Sequence, residues 1–262
     1  MPAIDLGRIA LHYTDTGVAH NGVGGPPILL IHELGGSGDS FAALAAQLSP
    51  YRRVIAPDLR SAGRSEKPPV PFSMDDCAQD LIALLAEMNV AQCDVLGAAL
   101  GSFIAFRMAL RQPALVRRMT LCAAAIGISE GTATYIGERA ARVRAQGMRV
   151  AVDTSLENAF PTPHEAIRAV YRPLWIANDP AGYAELSLAL GRERTSVADW
   201  GKLTCPVLVT NGAADFIWPP KAGQEVAAAI PGARYETLHR AGHFPHLQAP
   251  ADLAALVLEF FS

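Results

Sequence analysis

Short runs of β-branched and aliphatic residues alternate along this chain with longer segments of helical period, and this alternation constrains the fold more than any other feature. It is typical of a mostly parallel sheet that is covered by helices on both faces, so we predict an α/β fold. The predicted strands are an antiparallel edge at Arg8 to Tyr13, then Ile28 to Ile31, Val54 to Ala56, Cys93 to Leu96, Met119 to Cys122, Val207 to Thr210 and Tyr235 to Leu238. The predicted helices are Phe41 to Leu48, Met74 to Met88, Leu100 to Arg111, Ala222 to Ile230 and Pro250 to Phe261.

The alternation stops after Ala123, because about eighty residues pass before the next strand at Val207. One crossover does not need so many residues. The intervening segment has helical period and contains several prolines. We therefore predict a helical cap at residues 129–200, inserted into a single core of residues 1–128 and 201–262. The cap would cover the C-terminal edge of the sheet, where open α/β sheets bind ligands.

Composition favours a small-molecule partner. Hydrophobic residues make up 50% of the chain and charged residues 18%, and the net charge is -3 without a block of like charge. Nothing here indicates a nucleic acid or an anionic membrane as partner. The N-terminus does not have the pattern of a signal peptide, and no run approaches the ~18 apolar residues of a membrane span, so we expect a cytoplasmic protein. Four widely spaced cysteines are expected to be reduced thiols without a metal.

The most informative motif is the turn Gly97-Ala98-Ala99-Leu100-Gly101, which joins a predicted strand to a predicted helix. It has the frame of a Gly-x-Ser-x-Gly nucleophile elbow, but alanine stands at the central position. Small residues at such a turn also allow a helix to pack closely on a sheet. Taken alone, the motif supports the catalytic and the packing interpretation about equally.

Two further segments favour the catalytic interpretation. Asp215 follows the strand that ends at Thr210, and His243 lies between the last strand and the last helix. With Ala99, they give three positions at strand ends in the chain order nucleophile, acid, base. That order is the arrangement of the α/β-hydrolases.

The chain resembles the α/β-hydrolase superfamily over nearly its whole length, and more narrowly the 3-oxoadipate enol-lactonase-like group of lactonases and esterases. The motifs of this resemblance are the elbow, the loops of Asp215 and His243, residues 31–36 (Ile-His-Glu-Leu-Gly-Gly), residues 58–65 (Asp-Leu-Arg-Ser-Ala-Gly-Arg-Ser), and cap segments 138–148 and 179–183.

The resemblance implies roles for individual residues. Ala99 occupies the position of the serine nucleophile, His243 would be the general base and Asp215 would orient it. The backbone N–H groups of Leu34 and Leu100 would form the oxyanion hole. No cofactor or metal is implied. The expected substrate is a small ester, lactone or amide, and either a monomer or a homodimer is compatible with the sequence.

Glu33 departs from the family pattern, because the loop after His32 usually has glycine there. It would oppose the oxyanion unless it points away, forms local hydrogen bonds or contacts the substrate. The candidate pocket residues are Glu33, Tyr135, Arg139, Trp175, Phe216 and Trp218. Most of the remaining histidines are expected in loops or at the surface; they are His12, His20, His32, His164, His239 and His246.

Alanine at position 99 cannot form an acyl-enzyme, so we expect the chain as it stands to be nearly inactive. We favour the hypothesis that Ala99 replaces a parental serine, as in a variant made to trap substrate. The alternative is a natural pseudoenzyme that binds a ligand without turnover. For the parent we predict a serine hydrolase of a small carboxylic ester or lactone, with amide, carbamate or carbon-carbon bond hydrolysis as alternatives. A dehalogenase that lost an elbow aspartate fits the cap less well.

Overall fold

One sheet of eight strands organises the part of the chain that the computed structural model describes, which is residues 2–18, 24–69, 71–161 and 163–262. The strands are β1 (Ala3–Asp5), β2 (Ala10–Asp15), β3 (Ile28–Ile31), β4 (Val54–Pro57), β5 (Cys93–Ala98), β6 (Val116–Cys122), β7 (Val207–Gly212) and β8 (Arg234–Leu238). Their spatial order is β1-β2-β4-β3-β5-β6-β7-β8. The pairs β1-β2 and β2-β4 are antiparallel, and the other pairs are parallel. The predicted α/β class is confirmed.

Helices cover both faces of this sheet. They are α1 (Ala42–Leu48), α2 (Met74–Glu87), α3 (Leu100–Arg111), α4 (Glu130–Gln146), α5 (Arg149–Ala159), α6 (Glu165–Ile176), α7 (Pro180–Gly191), α8 (Val197–Trp200), α9 (Pro220–Ala229), α10 (Pro245–Gln248) and α11 (Pro250–Phe261). One apolar cluster contains Leu81 of α2, Phe103 of α3 and Val226 of α9. A second cluster contains Leu44 of α1 and Val257 of α11. The sheet therefore lies between two cores.

The predicted elements agree with the structure more closely at helices than at short edge strands. Helix α2 begins at Met74 because Ser73 caps it, with the Asp76 N–H donating to Ser73 Oγ at 3.2 Å. The predicted edge strand is shifted by two residues at each end and pairs with a short strand, β1, that had no sequence signal. A four-residue helix, α10, follows His243 and was not predicted.

Helices α4 to α7 follow β6 and precede β7, as the long interval between predicted strands indicated. They form their own apolar cluster, in which Val152, Phe160 and Tyr183 pack with Phe244 of the His243 loop. This segment is the cap. Its boundaries at residues 129 and 200 stay a prediction. Among the described residues, no helix has the length and apolar composition that crossing a bilayer requires.

Candidate active site

The turn between β5 and α3 has the strained backbone of a nucleophile elbow. Ala99 adopts a φ of 49° and a ψ of −111°, a conformation that an L-residue rarely takes. A Cβ added at Gly97 would lie 2.4 Å from the Gly101 carbonyl oxygen, and one added at Gly101 would lie 2.2 Å from the Ile31 carbonyl oxygen. Both glycines are therefore required by close backbone contacts, and the turn keeps this geometry although its central side chain has no nucleophile.

Ser102, one helical turn later, does not replace the missing hydroxyl. Its Oγ is buried and donates to the carbonyl oxygen of Gly97 at 2.9 Å, with a further contact of 3.2 Å to the Cys122 carbonyl oxygen. This hydroxyl ties α3 to the strands beneath it and does not face the candidate base.

Asp215 and His243 form a buried pair at the C-terminal edge of the sheet. His243 Nδ1 lies 2.9 Å from Asp215 Oδ2, and the side chains are 6% and 0% exposed. Asp215 Oδ1 also accepts hydrogen bonds from the backbone N–H groups of Ile217 and Trp218, both at 2.9 Å. These donors fix the carboxylate, which in turn fixes the imidazole. Because Nδ1 is engaged, Nε2 is the nitrogen that is free to exchange a proton with a reacting group.

Gln248 holds the His243 loop, and our sequence analysis missed it. Its Oε1 accepts from the backbone N–H groups of Gly242 at 2.9 Å and Phe244 at 3.0 Å, on either side of His243. Its Nε2 donates to the Ala159 carbonyl oxygen of the cap at 3.0 Å. One amide therefore fixes the loop and attaches it to α5. Gln248 lies at the end of α10, which was not predicted either, so no sequence signal was available for this role.

The two expected oxyanion donors lie beside the elbow. Leu34 and Leu100 line the same cavity as Ala99 and His243. Within the described part of the chain, neither backbone N–H donates a hydrogen bond to another protein group. Leu100 is the first residue of α3, where a helix has unsatisfied N–H groups and favours negative charge. The geometry fits a site for a developing oxyanion.

A cavity of about 190 Å³ lies between the elbow and the cap. Four of the predicted pocket residues line it, namely Tyr135, Arg139, Trp175 and Trp218. Tyr183, a cap residue that we also expected near the pocket, lines it as well, whereas Thr132, Leu156, Ile217 and Phe244 were not predicted. Phe216 is outside the cavity because its side chain turns to solvent and is 75% exposed, which corrects our expectation for that residue.

Glu33 is also outside the cavity, so the expectation that it lines the pocket needs correction. It belongs to the loop of residues 32–36 after β3, which we call the oxyanion loop, and its side chain is fully buried. Ser40 Oγ donates to its Oε1 at 2.9 Å, the Tyr171 hydroxyl donates to the same oxygen, and His246 Nε2 lies 3.0 Å from its Oε2. Burial disfavours the Glu33 carboxylate, but His246, His32 and the Tyr171 hydroxyl together outweigh that effect and lower the pKa of Glu33 to about 2.

The remaining histidines differ in exposure. His239 is exposed and His164 is half-buried, whereas His12, His32 and His246 are buried. His20 lies outside the described residues. His32, His164 and His239 lie in loops, as expected for most of these residues, whereas His12 is buried in β2 and His246 is buried in α10 beside Glu33.

Arg139 is the cation of the cavity wall. One guanidinium nitrogen is 3.3 Å from Ser155 Oγ, and the group lies over the rings of Tyr135 and Tyr183 at 5.5 and 5.8 Å. Its Nε has no hydrogen-bond partner, and no ion pair to it is found among the described residues. The Trp175 Nε1 is buried and has no hydrogen-bond partner within the described part of the chain. Arg139 thus supplies a positive charge to a lining that is mostly apolar.

The chain is similar to known proteins both in sequence and in structure. The sequence profile of the alpha/beta hydrolase fold family matches residues 26–250. A 2-hydroxymuconate semialdehyde hydrolase from a Pseudomonas species is 28% identical over 270 aligned positions, which cover 93% of this chain and 89% of the relative.

Two solved structures are similar over almost the full chain. The enol-lactonase from Burkholderia xenovorans superposes with a TM-score of 0.91, at 26% identity and 99% coverage of both chains. A thermophilic esterase from Thermogutta terrifontis gives a TM-score of 0.88, at 26% identity, with 96% of this chain and 93% of the other covered. With the elbow, the pair at the sheet edge and the profile match over most of its length, this chain belongs to the alpha/beta hydrolase fold family.

Proposed function

We propose that this protein, when serine occupies position 99, is a hydrolase of small carboxylic esters or lactones that works through an acyl-enzyme. One observation is the main support: the strained turn at Ala99, the Asp215–His243 pair and the two free N–H groups all meet at one cavity. A structural role alone would not require this combination of backbone strain, a positioned imidazole and unpaired donors.

The mechanism follows from these positions. The hydroxyl of serine at position 99 would transfer its proton to His243 Nε2 while Oγ bonds to the substrate carbonyl carbon. The carbonyl oxygen, now an oxyanion, would accept hydrogen bonds from the Leu34 and Leu100 N–H groups. The carbon-oxygen bond to the leaving group then breaks, and His243 returns the proton to that alkoxide. Water repeats the sequence on the acyl group, which releases the acid and restores the serine. Asp215 stabilises the imidazolium in both halves.

Ala99 stops this cycle at binding. We infer that it stands in the place of a parental serine, since Ala99 keeps a strained φ of 49° and faces the same cavity as an intact His243–Asp215 pair. A natural ligand-binding protein is the competing interpretation. In either case, the chain as it stands should bind an ester without rapid hydrolysis.

Arg139 narrows the substrate class. Among the described residues Arg139 has no carboxylate partner, and a guanidinium in a mostly apolar cavity is best satisfied by an anionic group of the ligand. We therefore propose that the substrate has a carboxylate some distance from its scissile ester or lactone bond. The similarity to 2-hydroxymuconate semialdehyde hydrolase keeps carbon-carbon bond hydrolysis as a second candidate, because the same catalytic groups serve that reaction.

The test restores the hydroxyl. Ala99→Ser should gain labelling by a fluorophosphonate probe and hydrolysis of p-nitrophenyl acetate, and the unsubstituted chain is the matched control. His243→Ala in the Ala99→Ser protein should abolish both signals. If the folded Ala99→Ser protein shows neither labelling nor hydrolysis, the serine-hydrolase proposal fails and the ligand-binding interpretation replaces it.

A further inference from the structure

The cap contacts the oxyanion loop at three points through α6 and the residues that follow it. The Tyr171 hydroxyl donates to Glu33, and Asn178 Nδ2 donates to the Gly35 carbonyl oxygen at 2.8 Å. The third contact is the Trp175 indole, which packs so closely on Gly35 that an added Cβ would lie 1.8 Å from Nε1. Leu34, which lines the cavity, lies between the two contacted residues.

Glu33 connects this cap helix to two other parts of the site. Ser40 binds its carboxylate from the same loop region, and His246 pairs with it from the segment that begins at His243. The Glu33 backbone is held as well, since its carbonyl oxygen accepts from His32 Nδ1 at 2.8 Å and from the Gly36 N–H at 3.1 Å. The Glu33 side chain thus connects the oxyanion loop, the cap and the segment that begins at His243.

The burial of this charge calls for an explanation. A fully buried carboxylate and imidazole cost desolvation free energy that their attraction often only balances, so such a pair contributes little to net stability. Buried polar networks can instead specify one arrangement of the chain. The proposed reaction does not use Glu33, His246 or Tyr171 to move a proton.

We infer that Glu33 is a positioning residue through which α6 and His246 hold the Leu34 N–H toward the oxyanion, so that docking of the cap completes the oxyanion hole. This inference rests on the proposed function. It makes the cap part of the catalytic apparatus, because the same helix that lines the substrate cavity with Trp175 fixes the loop that stabilises the oxyanion.

A positioning role and a merely structural role differ in what they change. Misplacement of a catalytic group by about 1 Å can lower a rate by about 100-fold without loss of binding. A positioning defect should therefore lower kcat and leave KM nearly unchanged. It should also weaken the binding of a trifluoromethyl ketone inhibitor more than that of a methyl ketone of the same shape, because the serine adduct of the former places an oxyanion in the hole. General destabilisation would lower the melting temperature and the amount of active enzyme without this selectivity.

The experiment compares Glu33→Gln and Tyr171→Phe with Leu174→Ala, all in the Ala99→Ser protein. Leu174 is on the same helix and is 54% exposed, so it is a matched control. Both test variants should lower kcat by about 10- to 100-fold, with KM within about twofold. They should lower the affinity for the trifluoromethyl ketone by a similar factor. Leu174→Ala should change neither. Unchanged kcat in folded Glu33→Gln and Tyr171→Phe, or an effect on KM alone, would overturn the inference.

A second measurement does not depend on turnover. In the Ala99 chain, hydrogen–deuterium exchange of the peptide that contains residues 33–36 should accelerate in Tyr171→Phe and not in Leu174→Ala. If Ala99→Ser proves inactive, the proposed function fails, and this exchange result still decides whether α6 holds the loop. Equal exchange in the two variants would reject the positioning role.

Discussion

The molecule has two buried histidine–carboxylate pairs, His243–Asp215 and His246–Glu33. Their histidines are only three residues apart along the chain, yet the two pairs have different surroundings. His243 binds Asp215 through Nδ1, lines the cavity and leaves Nε2 free. His246 contacts Glu33 through Nε2, is completely buried and has no partner at Nδ1 among the described residues. The same two chemical groups thus suit proton transfer in one place and fixed geometry in the other. Access to the reacting atoms, more than the identity of the pair, separates the two roles.

The largest expected effect is the loss of activity when His243, and not His246, is replaced. In the Ala99→Ser protein, His243→Ala should lower kcat by about 10⁶-fold, because the general base is lost. The melting temperature should change less than in His246→Leu, because Asp215 keeps the backbone N–H groups of Ile217 and Trp218 as donors. Steady-state hydrolysis and thermal unfolding measure both. A His243→Ala protein with full activity would mean that the base has been assigned to the wrong residue.

Asp215→Asn should lower kcat by about 10⁴-fold, because the amide can favour the wrong imidazole tautomer while the loop retains its backbone hydrogen bonds. The rate should be measured with the same ester as for His243→Ala. Near-normal turnover in Asp215→Asn would remove the acid from the proposed triad.

The second pair should show its effect in stability. His246→Leu leaves the Glu33 charge buried without its partner and should cost about 3–5 kcal/mol of the free energy of unfolding. The double variant with Glu33→Gln should recover part of that loss, because the uncompensated charge is gone. Urea unfolding of the Ala99 chain is the measurement. A loss in His246→Leu below about 1 kcal/mol would show that the two groups do not interact.

The pH dependence of the free energy of unfolding should show whether Glu33 is ionised in the folded protein. Its pKa is lowered from an ordinary value of 4.5 to about 2 in the folded protein, so the folded state binds this proton less readily than the unfolded chain does. The stabilisation is therefore present above about pH 4.5 and is lost as the pH falls toward 2. Unfolding between pH 6 and 3 should be less pH-dependent in Glu33→Gln than in the unsubstituted chain. Equal slopes would contradict an ionised Glu33 in the folded protein.

The smallest effect concerns the substrate. Arg139→Met in the Ala99→Ser protein should lower kcat/KM for an ester with a remote carboxylate by about 10- to 100-fold, the strength of one charge-assisted hydrogen bond. A neutral ester of the same size should be hardly affected. Arg142→Met, at an exposed position of the same helix, is the control. Equal losses for both esters would remove the carboxylate from the proposed substrate class.

Local patterns predicted the first pair and missed the second for a physical reason. The elbow, Asp215 and His243 each follow a strand in a short motif, so their meeting at one sheet edge follows from the α/β alternation. The Glu33–His246 contact joins two loops that are remote in sequence, together with Tyr171 of the cap, and no periodicity specifies how a cap docks. Phe216 was misplaced for a similar reason, because the turn after Asp215 brings Ile217 and Trp218, and not Phe216, to the cavity.

The central claim is that position 99 is the site of acylation, and peptide mass analysis tests it most directly. The Ala99→Ser protein should be mixed with excess p-nitrophenyl ester, quenched in acid within the burst phase and digested. We predict one acyl group per chain on the peptide that contains position 99, and none in the unsubstituted chain. An actively hydrolysing Ala99→Ser protein whose acyl mass is absent, or lies on another peptide, would contradict the account.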